Sequence, residues 1–160
     1  MQIVQVDDHN IEVYLNLAQG YEAEFSKIVQ KKPQADGRFA LDTELGGNVA
    51  GYLLYVDGVP AGHTAIASHG DGQFEVCDFY VVPYFRQNRL GQTFAAAIFA
   101  MHGGRWQIKQ VAGADRAIAF WQATIGDYTG GHFKQDIYQD PQWGTVTRQC
   151  FNHLDFTRAY

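Results

Sequence analysis

The sequence predicts a single α/β domain of the α+β kind, built on a mixed, mostly antiparallel sheet. Three observations predict it. Two strand-like runs, 49–56 and 59–67, flank Asp57-Gly58, a dipeptide that suits a two-residue hairpin turn with positive φ. The run Phe74-Glu-Val-Cys-Asp-Phe-Tyr-Val-Val-Pro83 is dense in strand formers and closes on a proline, which has no N–H to give a ladder. A polar turn then leads into a helix whose Leu90, Phe94, Ala97, Ile98 and Met101 share one face, and His102-Gly103-Gly104 stops it.

Length and composition set the bounds. At 160 residues the chain makes one domain, 1–160, long enough to bury roughly two-thirds of its unfolded surface. A hydrophobic share of 46% with 18% charged residues fits a compact protein and argues against disorder. The formal charge of −5 disfavours a general nucleic-acid role and favours cationic partners such as amines. No apolar run approaches the ~18 residues of a membrane span, and no signal segment opens the chain, so a cytoplasmic protein is expected. The two cysteines, Cys77 and Cys150, read as buried free thiols.

In chain order, Gln2 to Val6 alternates as a first strand. Asp8 or Asn10 can cap a helix from Ile11 to Val29, with Ile11, Tyr14, Leu15, Ala18, Tyr21, Phe25, Ile28 and Val29 as its apolar stripe. Gly20 costs that helix about 1 kcal/mol against alanine, so a bend is expected there. Residues 31–47 read as a loop. Gly70-Asp71-Gly72 turns the second hairpin strand into the Phe74 strand. Arg105 to Val111 alternates as a strand, Asp115 can cap a helix through Ile125, and His132–Tyr138 with Thr145–Phe151 forms a final hairpin. No histidine pair has metal-ligand spacing: His63 and His69, six residues apart on a strand, stand ~20 Å apart. No nucleophile elbow occurs either, so metal and covalent-hydrolase chemistry are not expected.

The turn 84–91 is too polar for a mere connection. A helix N-terminus presents unpaired N–H groups and a positive dipole end, and Arg86 and Arg89 add mobile charge beside it. Glu75-Val-Cys-Asp-Phe-Tyr-Val-Val-Pro-Tyr-Phe-Arg-Gln-Asn-Arg-Leu-Gly91 resembles the acetyl-CoA signature of the GNAT superfamily of N-acetyltransferases, a V-x-P strand end followed by Arg/Gln-x-x-Gly-x-Gly/Ala. Arg86 and Gly91 match its ends, and Arg89 replaces its middle glycine. With helical φ/ψ an arginine there is tolerated and can reach a phosphate, whereas a need for φ > 0 would damage the cradle. Gly113 to Gly126 is similar to the family's later helix, N-x-x-A-I-x-F-Y: Ala117, Ile118 and Phe120 are in register, Ala114 replaces the Asn and Trp121 the Tyr.

The resemblance implies a strongly bent sheet with helices on both faces and an acetyl-CoA cosubstrate. It places pantetheine along the backbone of Phe79, Tyr80, Val81 and Val82, in a splay beside the central strand. Pyrophosphate falls to the amides of Gln87, Asn88, Arg89, Leu90 and Gly91, running into Gln92, with Arg86 and Arg89 as charge partners. Ala117, Phe120 and Trp121 lie along the pantetheine or adenine side. The first helix becomes one wall of the acceptor site, with Tyr14, Tyr21, Glu22 and Glu24 as contacts to test.

For the base, Glu75 aligns with a glutamate that some relatives use, and a desolvated strand carboxylate there would have a raised pKa. Asp78 is the alternative, on the opposite face by strand parity unless a bulge intervenes. Trp121 has no transferable proton, so the departing thiolate takes one from solvent or from another phenol such as Tyr128. The expected activity is acetyl transfer to a primary amine of a small molecule or peptide, in a protein that could be a homodimer as relatives often are. The alternative is a CoA-binding or sensing module that has lost the chemistry.

Overall fold

The computed structural model describes residues 1–157. The chain packs as two compact units, Met1–Ala67 with Cys77–Gly91, and Ser68–Val76 with the described residues from Gln92 onward. The strands are β1 (Gln2–Gln5), β2 (Val49–Val56), β3 (Val59–Ser68), β4 (Gln73–Val81), β5 (Arg105–Val111), β6 (Lys134–Asp140) and β7 (Gly144–Asn152). They join in one sheet of order β1-β2-β3-β4-β5-β7-β6. β4 runs parallel to β5, with Gln73–Val76 opposite Arg105–Ile108. The pairs β1–β2, β2–β3, β5–β7 and β6–β7 are antiparallel. The predicted mixed, mostly antiparallel sheet is what forms.

In the first unit, α1 (Ile11–Phe25) is shorter than its apolar stripe. The expected last turn is instead a run of turns through Gln30, whose φ is 56°. Asn10 stands at the N-cap position but makes no side-chain cap; its amide bonds Asp7 N–H and Gln5 O instead. No break occurs at Gly20, and Tyr14, Ala18 and Glu22 form the buried face. Tyr14, Ala18 and Leu53 are buried together under Val6, Ile11, Leu15, Leu41 and Leu45. Asp57 (φ 50°) and Gly58 (φ 78°) both take the positive φ that their hairpin turn demands. A register shift between Leu54 and Tyr55 kinks β2.

The loop 31–47 is tied down by polar side chains of α1. The Gln19 amide exchanges two hydrogen bonds with the Phe39 backbone, at 2.8 and 3.0 Å. Buried Glu22 accepts from Lys31 Nζ at 2.7 Å and from Asp42 N–H at 3.1 Å, while Lys31 also meets Asp42 Oδ1 at 2.9 Å.

In the second unit, the buried face of α2 (Leu90–Met101) is Phe94, Ala95, Ile98 and Phe99. That is rotated from the expected stripe, and Met101 is exposed. Phe99 packs edge-on against Trp106 and Phe151, each at 4.9 Å between ring centroids. α3 (Asp115–Thr129) runs through Gly126 and ends on Gly130 in the left-handed conformation. Ala114, not Asp115, holds its N-cap position, so Asp115 serves the first turn through its charge. A short α4 (His153–Thr157) follows β7 and was not expected from the sequence. Cys77 and Cys150 are free thiols, half-buried rather than buried.

Candidate functional site

β4 ends at Val81, and Val82 hands the chain to a 3₁₀ turn, Pro83–Phe85, before α2 begins at Leu90. Asn88 and Arg89 both have positive φ, 54° and 58°. The position where the signature has glycine therefore does use left-handed backbone. Asparagine takes that conformation readily, whereas arginine pays roughly 1–2 kcal/mol. The cost falls on strain; the turn itself still opens into the helix. Two of the amides assigned to a phosphate are already engaged: Gln87 N–H donates to Phe85 O (2.9 Å) and Leu90 N–H to Gln87 O (3.2 Å).

Arg86 is hydrogen-bonded along its whole head group. Its Nε donates to Val81 O at 2.7 Å, and its two terminal nitrogens grip both carboxylate oxygens of Glu24 at 2.6 Å each. The guanidinium lies over the Tyr80 ring, 5.5 Å from the centroid. Its charge faces Glu24 in this structure, a partner that the sequence reading did not foresee. At Val82 the N–H donates to Ala61 O and the C=O accepts from the Phe85 N–H. A Cβ on Gly62 would collide with the Tyr80 carbonyl, so β3 and β4 can approach this closely only at a glycine.

Asp78 is 6% exposed. Thr43, delivered by the pinned loop, donates its hydroxyl to Asp78 Oδ1 at 2.9 Å. Burial pushes the Asp78 pKa up to about 7. The Thr43 hydrogen bond and the influence of Tyr21 oppose that rise, while the negative charges of Glu22 and Asp42 add to it. His63 is fully buried among Tyr14 (centroids 4.8 Å), Tyr80 (5.7 Å) and Tyr21 (5.9 Å). Neither His63 nitrogen has a hydrogen-bond partner, nor does the Tyr14 hydroxyl. Burial depresses the imidazole pKa to about 4, so the ring is neutral at pH 7. Sequence reasoning weighed His63 only as a metal ligand; its burial among three tyrosines leaves no local trace in the sequence.

Glu75 has the opposite environment. Burial would raise its pKa, but bonds from His69 Nε2 (2.9 Å), Lys109 Nζ (3.1 Å) and Gln107 Nε2 (2.8 Å) outweigh it and hold the carboxyl below its usual range. The expected raised pKa at Glu75 is corrected: a carboxylate gripped by two basic groups is a poor proton acceptor. Tyr128 lies in the second unit's aromatic cluster, 5.2 Å from Phe99 between centroids, with its hydroxyl 3.2 Å from His153 Nδ1. Burial raises its pKa. On α3, Trp121 is buried and packs on Phe99, while Ala117 and Phe120 are half-buried. Among the described residues no three His, Cys, Asp or Glu side chains gather as a metal set, and no helix is long and apolar enough to cross a membrane.

Neither a protein-family model nor a curated protein matches the sequence. Solved structures do. An aminoglycoside acetyltransferase in complex with coenzyme A and kanamycin superposes with a TM-score of 0.66 at 14% identity, over 99% of each chain. A Bacillus subtilis acetyltransferase in complex with CoA gives 0.58 at 10% identity, covering 94% of this chain and 97% of that one. The Escherichia coli ribosomal-protein-S18-alanine N-acetyltransferase gives 0.60 at 12% identity, covering 94% and 92%. At these identities the likeness is one of fold, and it extends along nearly the whole chain. The chain has the fold of the GNAT acetyltransferases.

Proposed function

We propose that the protein is an N-acetyltransferase that moves the acetyl group of acetyl-CoA to a primary amine. The observation that carries this reading is Asp78, a buried carboxyl with a pKa near 7, on the strand that leads into the Asn88–Arg89 turn. A base matched to neutral pH is what an ammonium acceptor requires. The structural likeness to acetyltransferases solved with CoA supports the cosubstrate. The amides of Asn88, Arg89 and Gly91, with the α2 N-terminus, take the pyrophosphate, and the Phe79–Val81 backbone takes pantetheine.

The ionised Asp78 carboxylate takes one proton from the acceptor ammonium. The freed amine lone pair attacks the thioester carbonyl, the C–S bond breaks with its electron pair going to sulfur, the nitrogen sheds its second proton to solvent as the amide forms, and the thiolate takes up a proton from solvent. A thiol pKa near 8.5 makes that departure tolerable without a dedicated acid. Kanamycin in the aminoglycoside enzyme and a protein alanine in the S18 enzyme mark the range of acceptors this fold serves elsewhere.

The alternative is a CoA-binding module without transfer. The burial of Trp121, at the position where the resembled helix has tyrosine, favours it. Titration calorimetry with acetyl-CoA, followed by thiol release across kanamycin, spermidine and an alanine-ended peptide, decides among these. Absence of binding sinks both readings, and binding without release from any amine selects the second.

A further inference from the structure

β6 ends the sheet, and among the described residues nothing pairs with its outer side. A strand at an edge aims the N–H and C=O of every second residue away from its neighbour, where another strand can take them up. Proteins commonly blunt such edges with a bulge, a proline or a row of lysines. β6 keeps an unbroken register with β7 from Lys134 to Asp140, holds no proline, and carries one lysine, at its start. Ile137, at its centre, is 68% exposed. Lys134 is exposed and has no ion-pair partner among the described residues. Asp140 commits Oδ1 to the N–H groups of Gln142 (2.8 Å) and Trp143 (3.0 Å), while Oδ2 has only the Tyr138 hydroxyl, at 3.5 Å.

We propose that β6 pairs antiparallel with β6 of a second copy of this chain, about a two-fold axis at Ile137. The strand reads Lys-Gln-Asp-Ile-Tyr-Gln-Asp and is complementary to itself in that register. Lys134 falls opposite the partner's Asp140, and Asp140 opposite the partner's Lys134, which puts one opposite-charge pair at each end. Gln135 faces the partner's Gln139, and Ile137 meets the partner's Ile137, so both exposed side chains are covered. Asp136 falls opposite the partner's Tyr138. Arg148 already holds both Asp136 oxygens, so no bare charge is trapped there. A slip of one residue puts Ile137 opposite the partner's Asp136 or Tyr138 and leaves Lys134 without an acid, so the charges select one register. Seven paired residues bury less than the roughly 1,200 Å² of a full-sized interface, so the dimer forms in the micromolar range. Neither CoA nor an acceptor amine enters this pairing, which stands or falls apart from the transferase reading.

Sedimentation velocity of the full chain from about 1 to 200 μM reads the association directly. The wild type is expected to pass from monomer to dimer over that range, and more weakly in high salt, which screens the two Lys134–Asp140 pairs. Ile137→Lys sets two ammonium groups against each other at the axis, and Lys134→Glu sets an acid against the partner's Asp140. Each should raise the dissociation constant by about tenfold or more. Val59→Lys removes an apolar side chain that is 50% exposed on β3, and should leave the constant unchanged. Because Ile137 is exposed, the urea midpoint of Ile137→Lys at high dilution should match that of the wild type. Ile137→Cys reads the register: a short bis-maleimide should link the two thiols across the axis. The wild type, whose cysteines lie on β4 and β7, and Gln2→Cys on the β1 edge should not be linked. A wild type that stays monomeric at the highest concentration overturns the proposal. So does a dimer that both charged substitutions leave intact, which places the interface elsewhere, or an Ile137→Cys protein that dimerises without being linked.

Discussion

The Tyr80 hydroxyl lies 2.8 Å from where a β-carbon on Gly20 would stand. A glycine in the middle of a helix is ordinarily a weakness worth about 1 kcal/mol, and replacing it by alanine should help. Here the ring that would have to move is held by Arg86 above it and by Tyr21 and His63 beside it. Gly20→Ala should therefore destabilise the protein by about 1 kcal/mol or more, the overpacking cost exceeding the propensity gain. Tyr80→Phe removes the oxygen and should restore most of the loss in the double variant. Urea midpoints measure both; a stabilised Gly20→Ala would show that the ring yields freely.

Glu75 should prove structural. Glu75→Gln removes the carboxylate that His69 and Lys109 share, and should cost about 1–2 kcal/mol at neutral pH. The folded-state pKa of Glu75 is depressed, so its contribution is present above the unfolded value of 4.5 and fades as pH falls below it. Turnover in this variant should stay within about twofold of the wild type. A hundredfold loss of turnover with unchanged stability would make Glu75 the base after all.

Glu75 and Asp78 show how far the sequence could be read. The Asp57-Gly58 hairpin, the β4–turn–α2 unit and the tail hairpin follow from local rules, because turn chemistry and periodicity are properties of neighbours in sequence. Parity placed Glu75 and Asp78 on opposite faces of one strand. Which face is dry was not legible, since it depends on His69, Gln107 and Lys109 around one carboxyl and on Thr43 and Tyr21 around the other. Arg86 finding Glu24, 62 positions away, was equally out of reach, because long-range charge pairing leaves no periodic trace. For Arg89 two backbone geometries were open; φ of 58° decides between them.

Arg89→Gly separates strain from charge. Glycine takes positive φ without the Cβ penalty, so stability should rise by about 1 kcal/mol. Losing the guanidinium should weaken CoA binding and flatten its dependence on salt. Calorimetry at low and high salt reads the second effect and thermal unfolding the first. Unchanged CoA affinity at low salt would remove the Arg89 side chain from the site.

His63 and Asp78 should give the protein two opposed pH dependences that hide each other. Asp78 has a raised folded-state pKa, so its stabilisation is full below the unfolded value of 3.8 and is lost as pH rises through about 7. That swing is worth roughly 4 kcal/mol at most. His63 has a depressed one, so its stability is present above 6.5 and lost as pH falls through about 4, a swing of roughly 3 kcal/mol. Over about pH 4 to 6.5 the slopes oppose. His63→Phe should unmask a stability that declines as pH rises, and Asp78→Asn one that climbs. Urea unfolding of each variant at pH 4.5, 5.5 and 6.5 checks the signs; parallel curves in both would mean that neither group titrates as its burial dictates.

The same carboxyl should set the reaction rate. Asp78→Asn keeps the acceptor oxygen that Thr43 bonds and nearly the same volume, so the fold and the β4 backbone should survive. What is lost is the ability to take a proton. An amine with a pKa near 10 is overwhelmingly ammonium at pH 7, and without a base only its rare neutral fraction can attack. Turnover should fall by about 10²–10⁴ while acetyl-CoA affinity stays nearly constant. Raising the pH tenfold in hydroxide should recover nearly tenfold in rate, because solvent then does the deprotonation. In the wild type the rate should instead rise to a plateau through a pKa of about 7, the value that burial gives Asp78. A wild-type limb near 4, or an Asp78→Asn enzyme at full speed, would place the base elsewhere. Paired with Glu75→Gln, whose carboxylate is already committed to Lys109 and His69, the experiment separates two acids three residues apart by the company each keeps.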